Sequence, residues 1–487
     1  MVSAGHRSRS GARGQWRRAL RDVRHLLAFR AATVRRRRAA GSALAAIGVV
    51  TVLAAVLPAG MRVDADLGRM LAPGLAGVAV GAAAAGGGGR ELIGRDAAAV
   101  HPISPVSDHL GALVLAPLSA GWLIQAWALL GLVAALSGVR AQGIAVAWVL
   151  MATALAQAVG WTAEWLRRRG PGWALGRFVL PVVVGLLAAP VAAVVGRIVR
   201  TGGPLSLLAT AAALLALAVG LVVLGARAAL ATSRLVPRDE GRLESRTYAL
   251  RTTPRSDLAV LRRIDRGSVW RSVPLRRGTW LLALAPGSIA LAGGLSWSAL
   301  VLMPGLVASG CVLLFGVNLW CLDGRGLLWR ETLPVPPRTV VAARTWVLAE
   351  LLLGAGAVTL LLGAVRAGRP TAAELLAVVL ALGVVVGQAV SAGLRWSAAH
   401  PHAVDLRSAR ATPAPPLVMV GYSLRLAVAT TVTGVLLGGL AEAGRTDLLL
   451  VLAAALGAVS AYRISRAGRR WSDPVRRARV VSIVSAG

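Results

Sequence analysis

At two places in this 487-residue chain an arginine with a carboxylate beside it stands just ahead of paired prolines. The first is Gly89-Arg90-Glu91-Leu92-Ile93-Gly94-Arg95-Asp96, followed by Pro102-Ile103-Ser104-Pro105. The second is Gly324-Arg325-Gly326-Leu327-Leu328-Trp329-Arg330-Glu331, followed by Pro334-Val335-Pro336-Pro337. Gly89, Arg90, Leu92 and Arg95 recur as Gly324, Arg325, Leu327 and Arg330, while Ile93 and Asp96 return as Leu328 and Glu331. Compositional bias explains polar matches in an apolar chain poorly, so the pattern reads as a duplication. Its chemistry is recognition rather than bond making. A guanidinium beside a carboxylate offers both signs of charge to a partner groove and fixes register more than affinity. The prolines pin φ and stop helices, so each segment should be a short, stiff turn that transmits force. The second copy is three residues shorter between Arg330 and Pro334 than the first is between Arg95 and Pro102, so the two surfaces are expected to be unequal.

Other reactive residues assemble no recognisable centre. His6, His25, His101, His109, His400 and His402 do not stand with Cys or carboxylates at metal-ligand spacing. Cys311 and Cys321 are expected on one helix, ~15 Å apart and beyond disulfide reach. Gly294-Leu295-Ser296-Trp297-Ser298 is the nearest approach to a nucleophile elbow, and it has no base. All 54 basic residues are Arg. A phosphate-binding P-loop needs Lys, so the chain has no such motif of its own for hydrolysing ATP. No catalytic residue, metal or cofactor is assigned. Glu350 and Arg425 are the charges set inside apolar runs. Each is expected ~14 to 15 Å deep from one membrane face, at a depth that permits an ion pair. Arg425 in a water-lined path with Glu350 protonated is the other reading, since an unpaired charge there costs at least ~2.5 to 3.5 kcal/mol.

The elements that must carry these residues are membrane helices. With 56% hydrophobic and 15% charged residues, the chain is far more apolar than soluble domains and holds many runs of about 20 apolar residues. It is expected to be an all-α polytopic membrane protein. The net charge of +34 does not indicate nucleic acid, because the Arg residues lie between apolar runs with few aromatics beside them. Twelve spans are predicted, near 40–60, 68–88, 110–137, 141–163, 176–196, 205–226, 279–295, 299–321, 340–363, 374–394, 416–437 and 446–462. The run 110–137 is long for one bilayer, so it tilts, kinks at Pro117 or contains a broken helix.

Arginine placement orients the spans. With the N-terminus inside, the inner segments hold 12, 2, 4, 13, 4, 3 and 7 Arg, the outer loops hold 8, and Arg425 falls within a span. This obeys the positive-inside rule and puts both termini in the cytoplasm of a plasma-membrane protein. Arg197, Arg200, Arg366 and Arg369 run against it. The organisation is then a basic amphipathic segment over 1–39, a six-helix half over 40–229, a basic linker with an interfacial helix over 230–278, a second six-helix half over 279–462 and a basic tail over 463–487. Trp16, Leu20, Val23 and Leu27 recur at helical spacing among Arg17, Arg18, Arg21, Arg24 and Arg30. That pattern predicts an amphipathic helix on the inner leaflet, with its guanidinium groups among anionic lipid headgroups. Leu261-Arg262-Arg263-Ile264 echoes it in the linker.

At this point the residues carry a family resemblance. A charged segment after the second span, containing Arg90, Arg95, Asp96, Pro102 and Pro105 in one half and Arg325, Arg330, Glu331, Pro334 and Pro337 in the other, resembles the coupling segment of ABC-2 type exporter permeases. The basic helix before span one is similar to the interfacial helix of that family. The resemblance covers both halves and rests on short motifs. It implies a permease subunit whose two fused halves form the substrate pathway and dock separate ATP-binding cassette ATPase subunits, two copies in all. Export of an amphipathic or lipid-like substrate is also what it implies. Twelve spans in two halves also occur in secondary transporters of the major facilitator type, whose charged loop Asp323-Gly324-Arg325-Gly326 faintly resembles, but the paired prolines do not belong to that pattern and few intramembrane charges are there for ion coupling. An integral membrane enzyme would be expected to cluster acids on outer loops, where Asp64 and Asp66 are the one close pair.

Overall fold

The computed structural model describes residues 7–32, 37–60, 71–84, 103–118, 120–169, 176–235, 252, 254–404, 406 and 412–486. The chain divides into two compact units, Met1–Thr247 and Tyr248–Gly487. Regular structure among the described residues is helical throughout.

The first unit runs through α1 (Arg7–Ala32), α2 (Arg37–Val56), α3 (Leu71–Ala84), α4 (Pro105–Leu115), α5 (Ala120–Ser137), α6 (Gln142–Arg169), α7 (Gly176–Thr201) and α8 (Pro204–Ser233). Its core lies where α3 and α6 meet α5, α7 and α8, around Leu71, Leu75, Leu129, Ile144 and the fully buried Trp148. With no aqueous driving force between membrane helices, close packing and interhelical hydrogen bonds hold them together. Trp148 Nε1 donates to Leu75 O at 2.9 Å, and Gln142 Nε2 donates to Ala55 O and Leu130 O at 3.0 Å each. The long run at 110–137 is broken: α4 stops at Leu115, Ala116–Leu118 tighten into a 3-10 turn containing Pro117, and α5 restarts at Ala120. Of the three options the sequence leaves open, the broken helix is the one adopted.

The helix α1 divides its apolar residues between protein and the outward face. Ala19 and Val23 are buried against Val106 and Leu115 of α4 and Ala226 of α8, while Leu20 points outward at 58% exposure. Its apolar stripe packs on protein, and small Ala19 rather than Leu20 sits at the closest approach. Asp22 accepts from Ser107 Oγ at 3.1 Å on the same contact face.

The second unit runs through α9 (Asp257–Arg271), α10 (Val273–Gly293), α11 (Trp297–Leu300), α12 (Met303–Ser309), α13 (Leu327–Glu331), α14 (Pro337–Ala364), α15 (Ala372–Ala399), α16 (Pro416–Glu442), α17 (Thr446–Trp471) and α18 (Pro474–Ser485). Helix α14 packs along α10 and α9, α15 lies against α16 and α17, and α12 sits between α15 and α16. A methyl group on Gly287 of α10 would lie 2.8 Å from Leu362 and 3.0 Å from the Thr359 Cα of α14, so glycine permits the α10–α14 contact.

The expected span 299–321 is not one helix. After α12 the chain makes a 3-10 turn at Gly310–Leu313, leaves helical geometry at Leu314 (φ −93°, ψ −136°) and makes a second such turn at Leu319–Leu322. Buried Asn318 holds the break open by donating from Nδ2 to His402 O at 2.9 Å and Pro413 O at 3.0 Å. Cys311 and Cys321, expected on one helix, therefore occupy separate turns; both are free and buried. Six segments among the described residues are long and apolar enough to cross a membrane: Gln125–Leu166, Pro204–Ser233, Pro337–Ala364, Ala372–Ala399, Val418–Glu442 and Thr446–Trp471. The first of these contains two helices joined at Gly138, whose φ of 65° makes the turn. The expected spans near 40–60, 68–88, 176–196, 279–295 and 299–321 are not among the six. Leu44–Ala59, Leu71–Val80 and Trp297–Leu313 form shorter apolar helices, and α10 carries Arg276 and Arg277 at its start and Pro286 within it.

Candidate functional site

The second charged turn is built as a stiff elbow. Gly324 takes φ 49°, a left-handed conformation that favours glycine, and lets the chain reverse into α13. After Glu331 the chain turns tightly at Pro334, with Val335 N donating to Leu333 O at 2.7 Å, Pro336 is extended, and α14 starts on Pro337, which has no N–H to lose in a first turn. In the first unit Arg90, Arg95, Asp96 and Pro102 lie outside the described residues. Pro105 opens α4 behind Ser104, whose side chain caps the helix by accepting from Ser107 N at 3.0 Å.

Beneath the second elbow lies a buried cluster of four charges. Arg330 of α13 donates from Nη1 to Asp323 Oδ1 at 2.8 Å and Oδ2 at 2.9 Å, and from Nη2 to Asp265 Oδ1 of α9 at 3.1 Å. Arg344 of α14 pairs with Asp265 Oδ1 at 3.3 Å and donates from Nη2 to Asp323 Oδ2. The side chains of Arg344 and Asp265 are fully buried, that of Arg330 is 7% exposed and that of Asp323 is 10% exposed. Two cations and two anions cancel, and this is the condition under which burial of so many charges is tolerable. The two acids are not equivalent. Burial pushes the Asp265 carboxyl above its ordinary value despite Arg344 and Arg330, with Asp323 adding to the rise. Burial works in the same direction on Asp323, but Arg344 and Arg330 reverse it and hold that carboxyl below its ordinary value. The cluster thereby ties α9, the segment after the helix break, α13 and α14 into one rigid joint.

Arg330 and Glu331 are consequently not the free pair that the spacing suggests. Arg330 is consumed by the cluster, and Glu331 accepts from Arg477 Nε of α18 at 2.7 Å. Helix α18 packs on α13 and on the turn at 324–326, and its root is fixed by Trp471 stacked on buried Trp320 at 3.6 Å and 6°. What the elbow turns outward is mostly apolar: Trp329 is 77% exposed, with Leu328, Leu333 and Pro334 also exposed, beside the polar Arg325, Glu331 and Thr332.

The expected pairing of Glu350 with Arg425 is also replaced. Glu350 accepts from Arg266 Nε at 2.8 Å and lies 3.6 Å from Arg262. Helix α9 lies along α14 and supplies both cations, and Arg262 also rests over the Trp346 ring at 4.9 Å. Arg425 instead lies over the Trp396 ring at 5.1 Å. Trp396 also stacks on His400 at 4.5 Å. His402, its neighbour in the loop, is partly buried, and desolvation followed by the nearby His400 holds its pKa below the usual imidazole value. Among the described residues no three His, Cys, Asp or Glu side chains converge as a metal site.

Sequence reasoning passed over Asp265, Asp323 as a charge hub, and Arg344. A signal existed for the first: Leu261, Asp265 and Val269 fall on one face of α9, and an acid on an apolar face demands a cation. Compared with known proteins, the chain matches no family model, no curated protein and no solved structure.

Proposed function

We propose that this chain is the membrane-spanning permease subunit of an ATP-binding cassette exporter, made of two tandem six-helix halves and driven by separate ATPase subunits. The observation that carries the reading is the elbow at 323–337. It is a stiff turn whose outer face is mostly apolar and whose inner face is locked by buried ion pairs to α9 and α14. A partner pressing on Trp329 would move α9, α13 and α14 together, and this is the mechanical property a coupling segment needs. Arg330 is the internal strut of that joint, and Leu328, Trp329 and Leu333 form the contact.

Duplication is supported by a repeated set of helix contacts. In the first unit α1 packs on α4, α2 on α5, α3 on α7 and α6, α5 on α6, and α6 on α8. In the second unit α9 packs on α14, α10 on α14, α12 on α16 and α15, α14 on α15, and α15 on α17. The order agrees if α14 corresponds to α4 plus α5, a helix that Pro117 splits in the first unit. A twelve-span topology in the plasma membrane with both termini cytoplasmic follows from that correspondence and from the distribution of Arg. An amphipathic or lipid-like substrate suits the apolar helices, and export follows from the resemblance of the charged turns to those of exporter permeases.

The test is co-purification of the full chain with an ATP-binding cassette subunit encoded beside it. Retention of the ATPase by the natural chain and its loss on Trp329→Glu is the expected result. Equal retention by the variant, with insertion and melting temperature unchanged, would remove the elbow as the docking point.

A further inference from the structure

Arg425 is a cation on the exposed side of an apolar helix, and no carboxylate among the described residues pairs with it. Around it on α16, Leu424, Val428, Val432 and Val435 are all exposed aliphatic side chains. Helix α16 has 27 residues, or ~40 Å at ~1.5 Å per residue, against a hydrocarbon layer of ~30 Å. Arg425 lies nine residues beyond Pro416, which sets its backbone ~13 to 14 Å from that helix end and inside the apolar layer. A guanidinium left at that depth without a partner is costly.

The side chain escapes by direction. Helical side chains lean toward the helix N-terminus, and the Arg425 guanidinium lies over Trp396, three residues from the end of α15 at Ala399. His400, stacked on the same Trp396 at 4.5 Å, marks the same level. The end of α15 and the start of α16 are joined by the segment 400–415 and so share one side of the membrane. The charge therefore rises to the headgroup level, where an indole is at home.

We infer that Arg425, seated on Trp396 beside His400, binds the phosphate of an anionic phospholipid in the leaflet at the Pro416 end of α16. The planar guanidinium matches a phosphate with two parallel hydrogen bonds. The aliphatic strip Leu424, Val428, Val432 and Val435 lies where the acyl chains would run, and this favours a lipid over free phosphate. The inference needs the membrane location only and does not depend on the transporter reading.

The experiment uses the purified full chain, exchanged into dioleoylphosphatidylglycerol or dioleoylphosphatidylcholine, with retained lipids counted by native mass spectrometry. Glycerol phosphate serves as a competitor without chains. The natural protein is expected to keep one more phosphatidylglycerol than Arg425→Gln, with about fivefold weaker retention in the variant, the equivalent of ~1 kcal/mol for one basic side chain at a headgroup. Arg425→Lys should retain part of the effect. Arg445→Gln, at the other end of α16 and paired with Asp447, should change nothing. The same lipid count in natural protein and Arg425→Gln would overturn the assignment. So would displacement by glycerol phosphate as effective as displacement by the lipid, which would mark a soluble-anion site. If Arg425→Gln fails to insert, the Lys variant decides: retention equal to the natural protein's contradicts a site that uses the planar fork, and reduced retention supports it.

Discussion

Arg344→Met isolates the strut of the joint with little change in volume. Arg344 is fully buried and reaches both Asp265, at 3.3 Å, and Asp323. At an effective dielectric of ~20, a 3.3 Å pair is worth about 5 kcal/mol before desolvation is counted. Removing one partner of a buried pair strands the other, and such losses run at ~3 to 5 kcal/mol. In the variant two carboxylates would share the single guanidinium of Arg330. For a unit of this size ~1 kcal/mol moves the melting temperature by ~2 to 4 °C, so a fall on the order of 10 °C is expected. Thermal unfolding in detergent followed by tryptophan fluorescence measures it, since Trp320 and Trp471 stack at the root of α18. Asp265→Asn in the same chain restores a one-to-one balance between Arg330 and Asp323 and should recover at least half of the loss. A single variant melting within about 1 °C of the natural protein, or a double variant no better than the single, would refute the charge-balance reasoning.

Acid titration should separate the two acids of the cluster. Asp323 has its folded pKa lowered below the ordinary 3.8, so it contributes stability above 3.8 that is lost as pH falls through the lower folded value. Asp265 has its folded pKa raised above 3.8, so its contribution is present below 3.8 and is lost as pH rises through the folded value. Melting temperature against pH should lose the first limb in Asp323→Asn and the second in Asp265→Asn. Gly225→Ala places a methyl 2.5 Å from His109 Cε1 and should destabilise the first unit by ~1 to 3 kcal/mol through overpacking, read in the same melt. Glu350→Gln should lower the melting temperature of the second unit, because it strips Arg266 and Arg262 of their shared carboxylate. Charge reversal at Arg477 alone should free α18 for limited proteolysis, and exchange of both partners, Glu331→Arg with Arg477→Glu, should restore protection.

The helices were legible where apolar runs ended in punctuation that backbone chemistry enforces. Pro117 breaks α4 from α5, and Pro334 to Pro337 build the elbow, both for the reason the sequence offers: proline fixes φ and lacks a donor. The break at 314–318 was not legible, because Ser309 and Asn318 are the only polar side chains in the run from 299 to 321, and a lone polar residue does not by itself stop a helix. What opens it is Asn318 finding carbonyls at His402 and Pro413, which no local pattern reveals. The ion cluster escaped for the same reason. Arg344 looks like one more basic residue at a span edge until α9 and the segment at Asp323 bring acids from distant sequence to it. Equal depth suggested Glu350 and Arg425 as partners, but depth is one coordinate, and the neighbour of α14 on that face is α9. On α1 Leu20 faces outward, as a lipid-facing stripe requires, while the contact of Ala19 with α4 and α8 depends on partners that the local pattern does not reveal.

In the proposed role this chain moves substrate under power supplied by a separate ATPase docked at the elbow. The most direct measurement is ATP hydrolysis in proteoliposomes containing the full chain alone, the chain with an ATP-binding cassette subunit encoded beside it, and the Trp329→Glu chain with that subunit. No turnover from the chain alone, turnover from the natural complex, and loss of both retained ATPase and turnover in the variant are expected. Robust hydrolysis by the chain alone, or a natural chain that retains no ATPase, would contradict that role.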